Sequence, residues 1–363
     1  MNTKELKNFY KGKTVLITGH TGFKGSWLSH TLLEFGAKVI GVSLAPNTPN
    51  DIFVVTNLEE KVKHYEFDIR DDEAVRKLMK EEMPDVVFHL AAQPLVRRSY
   101  SEPLLTVTTN VIGTANVLEA IRFTPSVRSV VVITTDKVYK DEDSIEGYKE
   151  DDKLGGYDPY SGSKAAADII TQAYTKSFFN IKDYGNKHQT LVAIARAGNV
   201  IGGGDWSEDR LVPSIMHEVL NGDGKIVLRA PKAVRPWEHV LEPISGYLLL
   251  GMQLGQGEAS VSDAWNFGPD KASWLTVEDV AKHLCTLLGK GTIKILADKD
   301  KHETNLLTLD TAKANHDLGW VSQWDSDRTL KETSRWYTAV NEDRNSASKV
   351  TKEQIAEYFN LSK

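Results

Sequence analysis

The stretch Thr14-Val15-Leu16-Ile17-Thr18-Gly19-His20-Thr21-Gly22-Phe23-Lys24-Gly25 constrains this chain most. Its β-branched start reads as a short strand, and a glycine turn follows. Trp27-Leu28 and Leu32-Leu33 then recur at helical spacing. Strand, turn and helix in that order set free N–H groups and the positive end of a helix dipole at the turn. Glycines there let a pyrophosphate approach the backbone. The spacing is G-x-x-G-x-x-G, one residue longer at the front than G-x-G-x-x-G. Gly19, Thr21, Gly22, Phe23, Lys24 and Gly25 are the candidate dinucleotide contacts. An ordinary turn is the weaker reading, because strand, motif and helix agree.

The acid that usually holds an adenosine ribose ends the second strand, about 20 residues on. This chain has Gly41-Val42-Ser43 there, so that acid is missing. Ser43 can bond a ribose without excluding a 2′-phosphate, which His20 and Lys24 could attract. NAD is favoured and NADP stays open. Asp68 and Ile69, after a third strand, are placed for the adenine edge; helix capping is the alternative for Asp68.

Further strands are expected at 38–42, 62–67, 86–90, 130–133 and 191–195, with helices at 72–84, 107–121 and 160–178 between them. Strands apolar on both faces and alternating with helices imply a parallel sheet covered on both sides. The pattern changes after Gly202-Gly203-Gly204. The expected division is a dinucleotide-binding domain over 1–201 with returns near 236–268, and a smaller, mixed α/β substrate-binding domain over 202–235 and 269–363. Thr351 and Gln354 suggest a cap on a terminal helix, after a mobile link at 341–348.

Tyr160-Ser161-Gly162-Ser163-Lys164 puts a phenol and an ammonium one helical turn apart on one face. A nearby cation favours phenolate, which makes the tyrosine an acid/base group. Alone, the pair is equally well an exposed helix contact.

A net charge of −6 offers no excess of cations to meet a nucleic acid. One cysteine, Cys285, excludes an internal disulfide and fits the cytoplasm. No apolar run of about 18 residues is seen, so no membrane span is expected. The ten histidines show no metal-ligand spacing.

The glycine loop, Leu90-Ala91-Ala92-Gln93, Thr134-Thr135-Asp136 and Tyr160-x-x-x-Lys164 occur in one order. Together they resemble the extended short-chain dehydrogenase/reductase family, and within it the nucleotide-sugar 4,6-dehydratases. The longer strings 133–139, 196–206 and 235–240 resemble the branch acting on CDP-glucose.

The resemblance implies a Rossmann-like cofactor domain, a CDP-glucose or related nucleotide-sugar substrate, and a homodimer or dimer of dimers built from the helices at 107–121 and 160–178. It implies cofactor contacts at Leu90, Ala91, Ala92, Tyr160 and Lys164. It also implies oxidation at C4, loss of water across C5–C6 and hydride return to C6. Tyr160 would take the 4-hydroxyl proton and Thr135, or Thr134, would bond the 4-oxygen. Asp136 would protonate the departing 6-hydroxyl.

Most 4,6-dehydratases have Asp-Glu where this chain has Asp136-Lys137. Lys137 is then either a neutral base at C5 or a charged support for the enolate. Asn199 and Arg235 are candidate diphosphate ligands, with Arg196 either a third or a structural salt bridge. Gln93, Arg97 and His239 are candidate substrate contacts, and Trp206 and Trp237 candidate pocket walls. A 4-epimerase, or a dehydratase on a GDP-, UDP- or dTDP-linked sugar, is the alternative. The implied setting is 3,6-dideoxyhexose synthesis for bacterial surface polysaccharide.

Overall fold

The computed structural model describes residues 2–140, 146–296 and 307–361. Six strands run in chain order: β1 (Thr14–Thr18), β2 (Lys38–Ser43), β3 (Lys63–Glu66), β4 (Val86–His89), β5 (Ser129–Ile133) and β6 (Leu191–Ala197). With the strand Ala264–Phe267 they form one seven-stranded sheet in the order Ala264–Phe267, β6, β5, β4, β1, β2, β3. Every pairing in it is parallel. The doubly wound α/β fold expected from the sequence is therefore present, and the order reverses between β1 and β4.

Alternation along each strand divides the core into two layers. Val15, Ile17, Phe88 and Val131 face one side, where Trp27, Leu28 and Leu248 pack on them. Leu16, Val87, Val130 and Val132 face the other, against Val75, Leu78, Leu118 and Ile121. The helix Leu241–Gln256 is apolar almost all round and lies under the sheet. Ser129 Oγ and Tyr10 Oη donate to its Gly251 and Leu248 carbonyls at 2.8 and 2.7 Å.

Three expectations need correction. The helix read at 107–121 begins at Pro103, and within Pro103–Arg122 an 18-residue stretch has a mean hydropathy of 1.3. By length and composition it is long and apolar enough to cross a membrane, but 44% of it is buried in this fold. It is also interrupted by a π-turn, Thr108–Ile112. The link at 341–348 is a short 3₁₀ turn, Arg344–Ser346, between the helices Ser326–Glu342 and Ala347–Tyr358. Thr351 and Gln354 are not caps: both are buried mid-helix, bonding Trp336 Nε1 and the Glu332 carbonyl at 2.9 and 2.7 Å.

Candidate active site at the carboxyl ends of the central strands

The glycine loop joins β1 to the helix Phe23–Glu34. Gly19 has φ +80°, and a Cβ there would lie 2.7 Å from the Ala91 nitrogen. A Cβ on Gly25 would lie 2.2 Å from the Gly19 carbonyl oxygen. Loop, helix and the end of β4 are thus held in mutual contact. Thr21 Oγ1 lies 2.7 Å from Ser43 Oγ and donates to the Leu44 carbonyl at 2.9 Å, tying the loop to the end of β2. Leu90 and Ala91 follow β4 and bond Thr18. The turn fits a pyrophosphate, with the N-terminal N–H groups of Phe23–Glu34 free for it.

His20 and Lys24 do not face outward as a 2′-phosphate site would require. His20 is buried over Gly41, where a Cβ would lie 2.2 Å from its ring, and its Nε2 meets His64 Nδ1 at 2.7 Å. Burial, then His64, lower its pKa to about 4. Lys24 points inward, where burial lowers it to about 8 against the pull of Glu238. Asp68 is a turn residue: Arg70 Nε and Nη2 donate to its Oδ2 at 2.9 and 2.6 Å, and the Arg70 amide to Oδ1. Ile69 is buried against Gly113.

Thr134, Thr135, Asp136 and Lys137 extend β5 into a 3₁₀ turn. Thr134 turns inward and donates to Asp168 at 3.2 Å. Thr135 turns the other way, as successive strand residues do, and donates to Asp136 Oδ1 at 2.9 Å. Its hydroxyl also acts on the Tyr160 phenol, favouring the charged form. Of the two threonines, Thr135 is the one on the Tyr160 side. Asp136 Oδ2 is buried without a hydrogen-bond partner, beside Gly198. Lys137 is half-buried and makes no side-chain hydrogen bond or ion pair among the described residues.

Tyr160 opens the helix Pro159–Phe178, which Asp158 caps by accepting from the Ser161 amide at 3.0 Å. Proline at the first position pre-sets the helical φ. Burial pushes the Tyr160 phenol up to about 12, opposed first by the Thr135 hydroxyl. Lys164 Nζ donates to the Ile133 carbonyl at 2.8 Å. Burial lowers it to about 8. One of its three donors is thus used on the end of β5.

Arg196 is structural. Its Nε and Nη2 grip the buried Asp168 at 2.8 and 2.9 Å, and Nη1 reaches Tyr139 Oη at 2.8 Å. Gln93 is occupied as well: it bonds Leu95 through both ends of its amide and donates to Thr106 Oγ1 at 2.8 Å, shaping the turn after β4. His239 lies fully buried between Trp27 and Trp324, with ring centroids at 5.6 and 4.8 Å. Both side chains are engaged inside the fold. Trp237 donates to the Leu275 carbonyl at 3.1 Å, and Trp206 packs edge-on to Tyr337.

Arg97 is half-exposed and pairs with Asp209 at 2.9 Å. Asn199 is half-buried; its carbonyl accepts from the Glu238 amide. Arg235 is buried, with Nη1 on the Val234 carbonyl at 2.8 Å.

Three charged residues went unassigned in the sequence. Glu238 is fully buried, and burial raises its carboxyl well above the usual range while Lys24 opposes. Arg210 pairs with Asp205 at 2.9 Å and acts on Tyr160. A glutamate between Trp237 and His239 in an otherwise inward-facing run was the available signal.

A glycine loop on a helix N-terminus, a Tyr/Lys helix and a Thr-Asp-Lys strand end define a dinucleotide-dependent enzyme of the short-chain dehydrogenase/reductase type. Residues 16–333 match the family model described as GDP-mannose 4,6 dehydratase. This chain belongs to that family of nucleotide-sugar dehydratases. It is 44% identical to a CDP-glucose 4,6-dehydratase of Salmonella typhimurium over 334 residues, 92% of each chain. The dTDP-glucose 4,6-dehydratase of Bacillus anthracis, solved with NAD, aligns with TM-score 0.74 at 26% identity, covering 92% of this chain and 98% of that one. The Streptomyces venezuelae enzyme DesIV, solved with NAD and TYD, aligns with TM-score 0.76 at 26% identity, covering 93% and 99%.

Proposed function

We propose that this chain is an NAD-dependent CDP-glucose 4,6-dehydratase. The observation that carries the reading is the Asp136-Lys137 pair at the end of β5, joined through Thr135 to Tyr160. A 4-epimerase needs Tyr160 and Lys164 but has no use for an acid beside them.

The backbone of Gly19, Gly22, Phe23 and Gly25 would hold the cofactor pyrophosphate, Ser43 its ribose, and Leu90, Ala91, Tyr160 and Lys164 its nicotinamide half. When bound, the nicotinamide supplies the hydride acceptor for C4 and the hydride donor for C6. Tyr160 takes the proton from the 4-hydroxyl, and Thr135 holds the 4-oxygen. The ketone acidifies C5. Lys137 stands at C5, as base when neutral or as the enolate's counter-charge when protonated. Asp136 gives its proton to the 6-hydroxyl, which leaves as water. Asn199, Arg235 and Arg97 face the diphosphate and sugar in this reading, the guanidinium forks suiting phosphate oxygens.

Incubation with CDP-glucose and NAD should yield a 6-methyl proton resonance. Its absence from cofactor-loaded protein sinks the dehydratase reading. Asp136→Asn should abolish that signal, whereas an epimerase would survive the change. Competition by CDP, UDP and dTDP identifies the base. The exposed apolar faces of Pro103–Arg122 and Pro159–Phe178, with Leu104 79% and Ile169 51% exposed, support a dimer through these helices. The pieces 202–235 and 269–363 form the substrate-binding part of the reading. Its setting is a cytoplasmic step toward the 3,6-dideoxyhexoses of lipopolysaccharide O-antigen. Unchanged O-antigen sugars in a deletion strain would contradict that placement.

A further inference from the structure

The dehydratase reading carries a proton balance that leaves the site out of step with itself. A turnover begins with Tyr160 as phenolate and Asp136 as acid. Tyr160 gains the 4-hydroxyl proton as the C4–H bond breaks. Asp136 loses its proton to the 6-hydroxyl as the C5–H and C6–O bonds break and water leaves. The hydride from C4 ends on C6, and a proton returns to C5. The substrate is now the 6-deoxy ketone, but Tyr160 is protonated and Asp136 is ionised. One proton has to pass from Tyr160 to Asp136 before the site can work again, whichever group serves C5.

The structure holds these two groups on either side of one hydroxyl. Thr135 Oγ1 donates to Asp136 Oδ1 at 2.9 Å. It also acts on the Tyr160 phenol, and the Lys137 amide approaches it at 3.4 Å. A hydroxyl has one donor and two acceptor sites, so with its proton on Asp136 the Thr135 oxygen can still accept from a phenol that approaches it. All three side chains are less than a tenth exposed. The charged groups acting on Tyr160 are Asp136, Arg210 and Asp158, and Asp136 is the one with a free buried oxygen.

We propose that Thr135 is the conduit that returns the proton from Tyr160 to Asp136, resetting acid and base together without exchange with solvent. This rests on the dehydratase reading for its purpose, but the transfer itself is testable without substrate. Addition of NAD to cofactor-free enzyme brings a positive ring to the site and favours phenolate. Ultraviolet difference absorbance reads the phenolate. Calorimetric titration in two buffers of different ionisation heat counts the protons released.

In the wild type, phenolate should form with almost no proton release, because Asp136 takes it. Asp136→Asn and Thr135→Val should form phenolate with release of about one proton per site, and Thr135→Ser should behave as wild type. A wild type that releases about one proton per phenolate, or forms no phenolate, overturns the proposal. So does a Thr135→Val protein indistinguishable from wild type. A protein with the silent proton shift but no 6-deoxy product refutes the dehydratase reading alone; product formation with an open proton release refutes the conduit alone.

Discussion

Replacing Arg196 by methionine separates a structural arginine from a phosphate ligand. Asp168 is fully buried and receives four side-chain donors: two from Arg196 at 2.8 and 2.9 Å, one from Thr134 at 3.2 Å and one from Gln172 at 2.9 Å. Breaking a buried pair by removing one partner costs about 3–5 kcal/mol. Thr134 and Gln172 remain to the carboxylate in Arg196→Met, which puts the loss near the lower end, about 3 kcal/mol. For 363 residues the unfolding entropy is about 0.76 kcal/mol/K, so Tm should fall by about 4 °C in a calorimetric scan. The KM for CDP-glucose should stay within about twofold, since the guanidinium is taken up by Asp168 and Tyr139. Adding Asp168→Leu should recover part of the loss, because the lone buried charge is then gone. An unchanged Tm with a KM raised about tenfold would refute this reasoning and return Arg196 to the list of phosphate ligands.

Gly25→Ala forces a methyl to within 2.2 Å of the Gly19 oxygen and 2.8 Å of His20 Cα, both backbone. A strain of about 1–3 kcal/mol in the loop should raise the Kd for NAD at least about fivefold by titration calorimetry; an unchanged Kd would show that the loop does not hold the pyrophosphate. His30 is buried against Thr56 Oγ1, and burial lowers it from 6.5 to about 3. The unfolded chain binds the proton that the native ring refuses, so this contribution is lost as pH falls below about 6.5. His30→Gln should flatten the pH slope of the urea-derived stability by about 1.36 kcal/mol per unit between roughly pH 6 and 4. A parallel slope would disprove the buried neutral ring. Leu104→Glu should shift sedimentation from dimer to monomer, and a monomeric wild type would remove the proposed interface.

The sheet was legible because each strand buried on both faces writes a continuous apolar run. Ser129–Ile133 was read within one residue, and Ala264–Phe267 lies inside the return expected near 236–268. The start of Pro103–Arg122 was missed: Pro103 reads as a break in sequence yet sits at a helix start, where its missing N–H costs nothing. Thr351 and Gln354 match a capping pattern, but their donors and acceptors are claimed by Trp336 and Glu332 from a facing helix. The sequence carries the spacing and not the partner.

The same limit governs the site. Thr134 and Thr135 could not be told apart until β5 fixed which one faces Asp168. The glycine loop announced its backbone purpose, but the directions of His20 and Lys24 depend on Gly41 and Glu238, far off in sequence. Gln93 looked like a ligand because an amide after a strand points toward the crevice. The sequence does not reveal that its amide also holds Leu95 and Thr106.

The Tyr160–Lys164 pair is where burial changes the chemistry most. With Nζ on the Ile133 carbonyl and the phenol pushed up to about 12, phenolate at neutral pH costs about 7 kcal/mol if the proton goes to water. The pull of Thr135 toward phenolate is already contained in that value. A proton sent to water also leaves one more negative charge in a dry site. Sent to Asp136, it moves a buried negative charge from a carboxylate to a phenolate and creates none. Desolvation, the largest cause acting on Tyr160, then nearly cancels between the two states. A positive charge arriving beside the phenol has only the remaining difference between two buried acids to overcome. Burial that looks hostile to a tyrosine base therefore favours one whose proton stays inside.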